Sequence, residues 1–240
     1  MTKYDKDSNL SYTLGTTLTL ELLNKKVDNC KRVYIHSKQL QNDTLDKILS
    51  ICKENNIEVV YSDKIINKLS DKENCFIVGE ITKFECDIDY NENSICLVNP
   101  SNAGNLGTII RTCAGFNIKN LIIIEPAVDI FNSKVVRASM GAIFNINFRY
   151  FKSFDEYKKL TNNNMYPFML KGSTSLSKVE KKKPYTLIFG NEATGLNDSF
   201  LDIGIPVRIM HSNNIDSLNL DNAVSIAVYE FTKEEVNKNE

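Results

Sequence analysis

The stretch SICLVNPSNAGNLGTIIRT, residues 94–112, decides the fold that the sequence predicts. Its first five residues form a short apolar run typical of a buried strand, and the residues from Gly107 onward have the spacing of a helix. A turn rich in proline, glycine and asparagine separates the two. A strand that leads through a turn into a helix is the first half of a β-α-β unit, so this stretch predicts an α/β fold with a parallel sheet.

The same alternation continues towards the end of the sequence. Further strands are predicted for NLIIIE, NINFRYF, MYPFML, YTLIFG and IPVRIM, and further helices for SKVVRASMGA, SFDEYKKL and SLNLDNAVSIAVYEF. The last helix carries an apolar stripe at helical spacing, formed by Leu220, Ala223, Val224, Ala227, Val228 and Phe231. Strands that alternate with helices predict a parallel sheet covered by helices on both faces.

Residues 32–81 show a smaller version of this pattern. The segments RVYI, IEVVYS and CFIVGEI predict strands, and TLDKILSICKENN and DKIINKLS predict helices. Residues 87–93 are polar and acidic, which is typical of a linker. We therefore predict two domains, a small α/β domain over residues 1–92 and a larger domain over residues 93–240.

Composition excludes several classes of protein. Hydrophobic residues make up 42% and charged residues 25%, as in average globular proteins. No apolar run approaches the roughly 18 to 20 residues of a membrane span, and the first ten residues are polar, so we expect a cytoplasmic protein without a membrane partner. Six cysteines never lie closer than ten residues apart, and there are two histidines, so no metal site is expected.

The charge balance does not indicate a nucleic-acid partner. The net charge is −1, residues 1–92 carry 13 Lys and Arg against 16 Asp and Glu, and residues 93–240 carry 16 against 14. A domain that binds nucleic acid is usually basic. Any function on RNA must therefore be inferred from motifs.

Three loops that follow predicted strands contain residues suited to chemistry, because ligands bind beyond the carboxyl ends of parallel strands. In the first, residues 99–112, Gly104 and Gly107 permit close approach of the backbone to a ligand, and the start of the helix can bind an anion. Arg111 lies on the otherwise apolar helix, where a structural salt bridge is an equal alternative. The loop lacks G-x-G-x-x-G and the P-loop pattern, which argues against a dinucleotide-dependent oxidoreductase.

The second loop is IFGNEATGL, residues 188–196, in which Glu192 lies between Gly190 and Gly195. Its carboxylate could hold a ribose or an amine, or it could cap the following turn. The third loop is IMHSNNIDSLNLDNA, residues 209–223. Ser217 is a natural N-cap for the last helix. His211 is the other candidate for a chemical role in this loop, although a lone histidine is more often structural than catalytic.

Together and in this order, the three loops resemble the three motifs of the SpoU (TrmH-like) family of SPOUT RNA ribose 2′-O-methyltransferases. NLGTIIRT is similar to N-x-G-x-I-x-R, LIFGNEATGL to a strand followed by G-N-E-x-x-G-L, and IPVRIM with SLNLDNAVSIAVYE to I-P-M followed by S-L-N-V. SKVVRASMGAIF is also similar to a stretch of the family. The resemblance covers about residues 94–232. The departures are Asn99 in place of an acidic residue, Ala193 in place of glycine, and Arg208 and residues 220–222 in place of apolar or small residues.

This resemblance implies a fold and an activity. The fold is a SPOUT-type parallel sheet with a deep trefoil knot, a known exception to the rule against knots, and the protein works as a homodimer. The N-terminal domain is similar to the ribosomal-protein-like substrate-binding domain of many members. The activity is methylation of a ribose 2′-hydroxyl with S-adenosylmethionine as cofactor and without a metal. The two-domain layout and the RASMG segment favour ribosomal RNA as the substrate.

The resemblance also assigns residues. The cofactor site would comprise Gly190, Asn191, Glu192, Gly195, Ile209, Leu218 and Asn219. The active centre would comprise Asn105, Arg111, Glu192, Ser217 and Asn219. We expect Arg111 to stabilise negative charge, because a guanidinium with a pKa above about 12 is a poor base.

RNA contacts are predicted at two places. Arg137 is a candidate phosphate contact, and the cluster of Lys25, Lys26, Lys31 and Arg32 is the only dense group of basic residues in the first domain. Phosphate contact requires local lysine or arginine whatever the net charge. A solvated charged face is the alternative for the cluster.

Other functions remain open alternatives at this point. One is methylation of transfer RNA, and another is a non-catalytic RNA- or nucleotide-binding protein of the same fold. The near-neutral charge favours the non-catalytic alternative, whereas the intact Asn105, Arg111, Glu192 and Asn219 argue against it.

Overall fold

The protein was analysed as a computed structural model, which describes residues 4–70, 72 and 74–236. Residues 1–3 of the polar N-terminal stretch lie outside the described residues. In chain order the helices and strands are β1 (Leu10–Leu14), α1 (Thr16–Lys25), β2 (Cys30–Ile35), α2 (Asp43–Glu54), β3 (Glu58–Tyr61), α3 (Asp63–Leu69), β4 (Ile77–Thr82), β5 (Ser94–Val98), α4 (Ala103–Gly115), β6 (Asn120–Ile124), α5 (Ser133–Ala138), β7 (Asn147–Phe151), α6 (Phe154–Lys158), β8 (Asn164–Pro167), β9 (Thr174–Ser175), β10 (Tyr185–Phe189), β11 (Val207–Arg208) and α7 (Leu220–Val236).

The chain divides into two compact units. The first contains the residues up to Phe84 together with Asp129–Asn145, and the second contains Glu85–Val128 and the residues from Ile146 onward. The units therefore separate after Phe84 and not at the predicted position 92, and a segment from the middle of the predicted second domain belongs to the first unit.

The first unit is built on a four-stranded sheet in the order β1-β4-β2-β3. Strand β4 pairs antiparallel with both β1 and β2, and β2 pairs parallel with β3. Helix α5 packs against β1, and the Ser11 hydroxyl donates a hydrogen bond to the carbonyl of Phe131. These contacts explain why residues 129–145 belong to this unit although they are distant from β1 in sequence.

The second unit contains a five-stranded sheet in the order β7-β6-β5-β10-β8. All four neighbouring pairs are parallel, which confirms the predicted parallel sheet. Strands β6 and β10 are buried along their whole length, as expected for apolar strands at the centre of a covered sheet. Strand β11 is shorter than the predicted strand IPVRIM, since it pairs through two residues with β9.

Helices α4 and α7 pack together in the second unit. Helix α4 buries Leu106, Ile109, Ile110 and Cys113, which follow the spacing of one helix face. Thr112 on α4 and Ser225 on α7 have their hydroxyl oxygens 3.0 Å apart, within hydrogen-bond distance. In the described part of the chain, none of the helices has the length and apolar composition that crossing a membrane requires.

The interpretation of residues 87–93 as a linker is wrong. Ile88 is 8% exposed and packs in the core of the second unit with Cys96, Ile122 and Phe154. The Thr161 hydroxyl donates to the Tyr90 carbonyl at 2.7 Å. One apolar and one aromatic side chain among acidic neighbours are enough to anchor the segment, although its average composition is polar.

Replacing Ile88 tests this anchor. We expect Ile88→Ala to lower the free energy of unfolding by about 2 kcal/mol, the low end for a buried aliphatic side chain truncated to alanine. Urea denaturation of the full chain measures the change, and Asn91→Ala, at an exposed position of the same segment, should change it by less than about 0.5 kcal/mol. Equal and small effects of both variants would show that the segment is a linker after all.

Candidate active site

The candidate site lies beside β5 and β10, where the chain changes from one side of the five-stranded sheet to the other. From β5 the chain moves to β6 and β7 on one side, and later returns to β8 and β10 on the other. Because β5 and β10 are parallel neighbours, with Leu97 beside Phe189, the loops after them emerge side by side. A crevice at such a switch point is the usual ligand site of an open parallel sheet.

The Glu192 carboxylate joins these two loops. One of its oxygens accepts hydrogen bonds from the backbone N–H and the hydroxyl of Ser101, at 3.0 and 2.8 Å. The other accepts from the backbone N–H of Asn102 at 3.0 Å and from the side-chain amide of Asn105 at 3.3 Å. A residue of the second motif is thus bound to the start of α4, which carries the first motif.

These bonds set the charge state of Glu192. Burial by itself raises the pKa of the carboxyl, but the hydrogen bonds donated by Ser101 and Asn102 favour the charged form and hold its pKa below the ordinary value. Glu192 is therefore an ionised acceptor at neutral pH. The start of a helix is also favourable for a negative charge, because its first N–H groups have no partner within the helix.

The turn that carries Glu192 is tightly closed. The Asn191 side chain donates to the Asn99 carbonyl at 2.8 Å and accepts from the backbone N–H of Ala193 at 2.9 Å. Gly195 has φ +67° and donates its backbone N–H to the Asn191 carbonyl. A Cβ atom on Gly190 would lie 2.1 Å from the carbonyl carbon of Gly195, so this position accepts no side chain.

A cavity of about 380 Å³ opens beside this turn. Its volume lies within the range of small-molecule sites, about 300 to 1,000 Å³. Three segments line it, namely residues 168–171 after β8, residues 189–198, and residues of the third loop up to the first turn of α7. Phe168 and Phe189 stack in its wall with ring centroids 4.6 Å apart.

The cavity brings together most of the residues predicted for the cofactor site. Its lining includes Gly190, Asn191, Glu192, Gly195, Ile209 and Leu218, and also Ser217 of the predicted active centre. Asn219, Asn105 and Arg111 are absent from the lining. Asn105 is connected to the cavity through its hydrogen bond to Glu192.

Arg111 is exposed on α4 and stands apart from the cavity of its own chain. Among residues 4–70, 72 and 74–236 it has neither a hydrogen-bond partner nor an ion-pair partner. The alternative of a structural salt bridge therefore finds no support in the described residues. An arginine that is not engaged within its chain is available for an external anion or a second subunit.

The alternative that Ser217 caps the last helix is wrong. Helix α7 begins at Leu220, and the carbonyl of Asn219 accepts the hydrogen bond from the backbone N–H of Ala223. Ser217 instead lines the cavity. Serine is a favourable residue type for a helix cap. Residues 217–219 belong to the loop, however, and the helix begins after them at Leu220.

Sequence reasoning missed several residues of the cavity. They are Phe168, Met169, Leu170 and Lys171 after β8, Phe189 and Asp198 around the second motif, and Arg208 at the end of β11. The position of residues 168–171 could have been found, because they also follow a parallel strand next to β10. Arg208 could have been found as the departure from an apolar position in the third motif.

The predicted RNA contacts lie in the first unit. Arg137 is exposed on α5, and Lys25 and Lys31 are exposed. Arg32 forms an ion pair with Glu58 at 2.6 Å, and the Lys26 ammonium lies 5.1 Å from the centre of the Phe84 ring. Of the predicted basic cluster, Lys26 and Arg32 thus contact other residues of the protein, whereas Lys25 and Lys31 are exposed.

The described part of the chain contains no candidate metal site. Within residues 4–70, 72 and 74–236, no three His, Cys, Asp or Glu side chains are placed to hold a metal ion. All six cysteines are free thiols. The burial of Cys52 raises the pKa of its thiol to about 11, so this side chain is an unreactive part of the core.

Comparison with known proteins identifies the family. The sequence profile of the SpoU rRNA Methylase family matches residues 92–229, more than half of the chain. The chain belongs to the SpoU rRNA Methylase family. The match spans all three motif loops of this SpoU chain, and it confirms the family resemblance seen in their sequence.

Relatives of this SpoU chain include proteins named for different RNAs. A Listeria innocua protein named as a tRNA (cytidine(34)-2′-O)-methyltransferase is 32% identical over 150 residues, 60% of this chain and 88% of that protein. A Bacillus subtilis 23S rRNA (guanosine(2553)-2′-O)-methyltransferase is 28% identical over 131 residues, 52% of each chain. An AdoMet-bound rRNA methyltransferase from Sinorhizobium meliloti has the same fold, with a TM-score of 0.82 and 24% identity over 94% of this chain and 88% of that one.

Replacing Glu192 by glutamine should destabilise the second unit in a pH-dependent way. At pH 7 we expect a loss of about 1 kcal/mol in the free energy of unfolding, the low end for bonds to a charged acceptor because part of the carboxylate is exposed. Since the folded pKa is lowered, this stabilisation is present above the unfolded value of about 4.3 and disappears as the pH falls through the folded pKa. Urea denaturation at a series of pH values measures it.

The matched control is Glu85→Gln, which removes a charge at an exposed position of the same unit. Its effect should be small and nearly constant with pH. A difference between wild type and Glu192→Gln that does not shrink between pH 7 and about pH 3 would contradict the assigned role of the carboxylate.

Proposed function

We propose that this protein is an RNA methyltransferase that transfers a methyl group from S-adenosylmethionine to a ribose 2′-hydroxyl. The observation that carries the proposal is the Glu192 junction. It fixes the second motif loop of a SpoU family chain to the first motif at the start of α4. The third motif loop lines the same cavity. The second and third motifs, which are far apart in sequence, thus meet at one ligand-sized cavity, and Glu192 connects this cavity to the first motif.

The residues around the cavity suit the proposed cofactor. Gly190 lets the turn close tightly against Gly195, and the apolar wall formed by Phe168, Phe189 and Leu218 suits the nucleoside part. Two polar atoms of the wall, Arg208 Nε and His211 Nε2, are buried without a hydrogen-bond partner in the described residues. Buried polar atoms that the protein leaves unsatisfied fit a site that a polar ligand completes.

When bound, S-adenosylmethionine supplies a methyl group on a positively charged sulfur. The residues of the chain position the ribose hydroxyl and stabilise the negative charge that develops on its oxygen. We assign the charge stabilisation to Arg111, whose guanidinium is permanently charged. Ser217 and Asn219 would orient the ribose. Glu192 holds the loops in place, since both of its oxygens are occupied by donors of the chain.

A homodimer would bring Arg111 to a cavity. Arg111 is exposed on α4 and does not line the cavity of its own chain. On α7, which packs against α4, Ile226 is 42% and Tyr229 is 56% exposed. Exposed apolar side chains on a helix pair favour an interface. We propose that a second subunit covers this helix pair and that each cavity receives Arg111 from the partner subunit.

We also propose that the second unit contains the deep trefoil knot that the family resemblance implies. The match of residues 92–229 to the SpoU rRNA Methylase family supports this proposal.

Ribosomal RNA is the proposed substrate, in keeping with the two-unit layout and the RASMG segment. Transfer RNA is the second candidate, favoured by the 32% identity to the Listeria innocua protein named as a tRNA (cytidine(34)-2′-O)-methyltransferase. That match covers 60% of this chain. In the first unit, Lys25, Lys31 and Arg137 are exposed and are the proposed phosphate contacts. Lys26 and Arg32 could bind phosphate only if they first broke their contacts with Phe84 and Glu58.

Removing Arg111 tests the catalytic proposal. We expect Arg111→Ala to reduce methyl transfer to RNA by about 100- to 1,000-fold, the usual cost of losing one donor to a developing negative charge. Cofactor affinity should change by less than about threefold, since Arg111 does not line the cavity of its own chain and its proposed partner is the ribose oxygen and not the cofactor. Single-turnover transfer of a radiolabelled methyl group measures the first quantity, and equilibrium binding measures the second.

Arg149→Ala is the control, because it removes an arginine of the same unit from the edge strand β7. Near-normal transfer by Arg111→Ala would reject the role of Arg111. A wild-type protein that binds S-adenosylmethionine and RNA but transfers no methyl group would favour the non-catalytic alternative.

A further inference from the structure

The wall of the cavity contains two polar groups that the protein leaves without a partner. Arg208 Nε and His211 Nε2 are both buried from water, and neither has a hydrogen-bond partner in the described residues. A buried polar group that remains without a partner lowers stability. Arg208 and His211 line the same cavity, so a ligand in it could provide both partners.

The other charged side chains of the cavity are already paired. Lys171 and Asp198 form an ion pair at 2.8 Å, and Glu192 accepts four hydrogen bonds from Ser101, Asn102 and Asn105. Arg208 is therefore the one charged lining residue without a partner in the part of the chain that the structure describes. The cavity is left with one unpaired positive charge.

The imidazole of His211 is held in one tautomer. Its Nδ1 lies 3.0 Å from the carbonyl oxygen of Ser212. A carbonyl oxygen only accepts hydrogen bonds, so Nδ1 carries the proton. In the neutral ring Nε2 is then an acceptor. The wall thus offers a positively charged donor from Arg208 and an acceptor from His211.

This pair of groups matches the amino-acid end of S-adenosylmethionine. A carboxylate and an ammonium are attached to the same carbon there, and the carboxylate is the only anionic group of the cofactor. The unpaired charge of Arg208 attracts the carboxylate and repels the sulfonium. Arg208 also lies on β11, whose backbone pairs with Ser175 of β9, so the guanidinium is carried by a fixed strand.

We propose, on the basis of the proposed function, that Arg208 and His211 hold the amino-acid end of S-adenosylmethionine. Arg208 donates to the carboxylate, and Nε2 of His211 accepts from the ammonium. Both are positioning residues. They orient the cofactor so that its amino-acid end lies against Arg208 and His211. The stacked Phe168 and Phe189 and the apolar Leu218 remain for the nucleoside end.

The test compares two ligands that differ at this end. S-adenosylhomocysteine keeps the amino-acid end, and 5′-methylthioadenosine lacks it. Titration calorimetry with the full-length wild type, Arg208→Gln and His211→Ala gives the affinities. We expect each variant to bind S-adenosylhomocysteine about 10- to 100-fold more weakly, as for a lost hydrogen bond to a charged group. The affinity for 5′-methylthioadenosine should stay within about twofold, which also shows that the cavity is intact.

Arg149→Gln is the matched control, because it removes an arginine of the same unit that does not line the cavity. It should leave both affinities unchanged. Equal losses for both ligands in Arg208→Gln and His211→Ala would overturn the proposal, since they would indicate a distorted cavity. Unchanged affinities for both ligands would overturn it as well.

Two further outcomes separate this proposal from others. If the variants bind S-adenosylhomocysteine normally but bind RNA more weakly, the anion at Arg208 is a phosphate of the RNA, and the proposal is rejected. If the wild type binds neither of the two ligands nor S-adenosylmethionine, the proposed function itself fails, and the proposal fails with it.

Discussion

The candidate active site depends on one ionised carboxylate. Glu192 comes from the loop after β10 and accepts four hydrogen bonds from residues at the start of α4, which follows β5. Neighbouring parallel strands bring the two loops side by side, but only a shared polar group fixes one loop against the other. The same bonds satisfy N–H groups that have no partner within the helix. The closed turn around Gly190 and the cavity beside it are built on this junction.

The pairing of charges explains how a protein of net charge −1 can present a positive site. Glu192 is occupied by donors of the chain, and Asp198 is paired with Lys171. Arg208 is the one charged lining residue without a partner in the described residues, so the charge that the cavity offers to a ligand is positive. Net charge sums all residues equally, whereas recognition depends on those that are not neutralised nearby. The composition was therefore a poor guide to a function on RNA.

The sequence predicted the central sheet well, because β5, β6 and β10 are apolar runs between turn residues and their loops mark the site. It did not predict β1, in which Ser11 and Thr13 are buried and satisfied by hydrogen bonds to Phe131 and Gly79. It could not predict the contact of Glu192 with Ser101, 91 residues away. Residues 87–93 were misjudged because Ile88 anchors a segment that is polar on average. The packing of residues 129–145 on the first unit likewise depends on contacts distant in sequence.

The position of the transferred methyl group on the RNA tests the proposed methylation of a ribose 2′-hydroxyl most directly. Transfer RNA and ribosomal RNA from cells that lack the gene would be incubated separately with the protein and S-adenosylmethionine carrying a deuterated methyl group. The RNA would then be digested to nucleosides and examined by mass spectrometry. We expect a deuterated methyl group on the ribose of one kind of nucleoside, in one of the two RNA pools. Label on a base, or no label in either pool from a protein that binds the cofactor, would contradict methylation of a ribose 2′-hydroxyl.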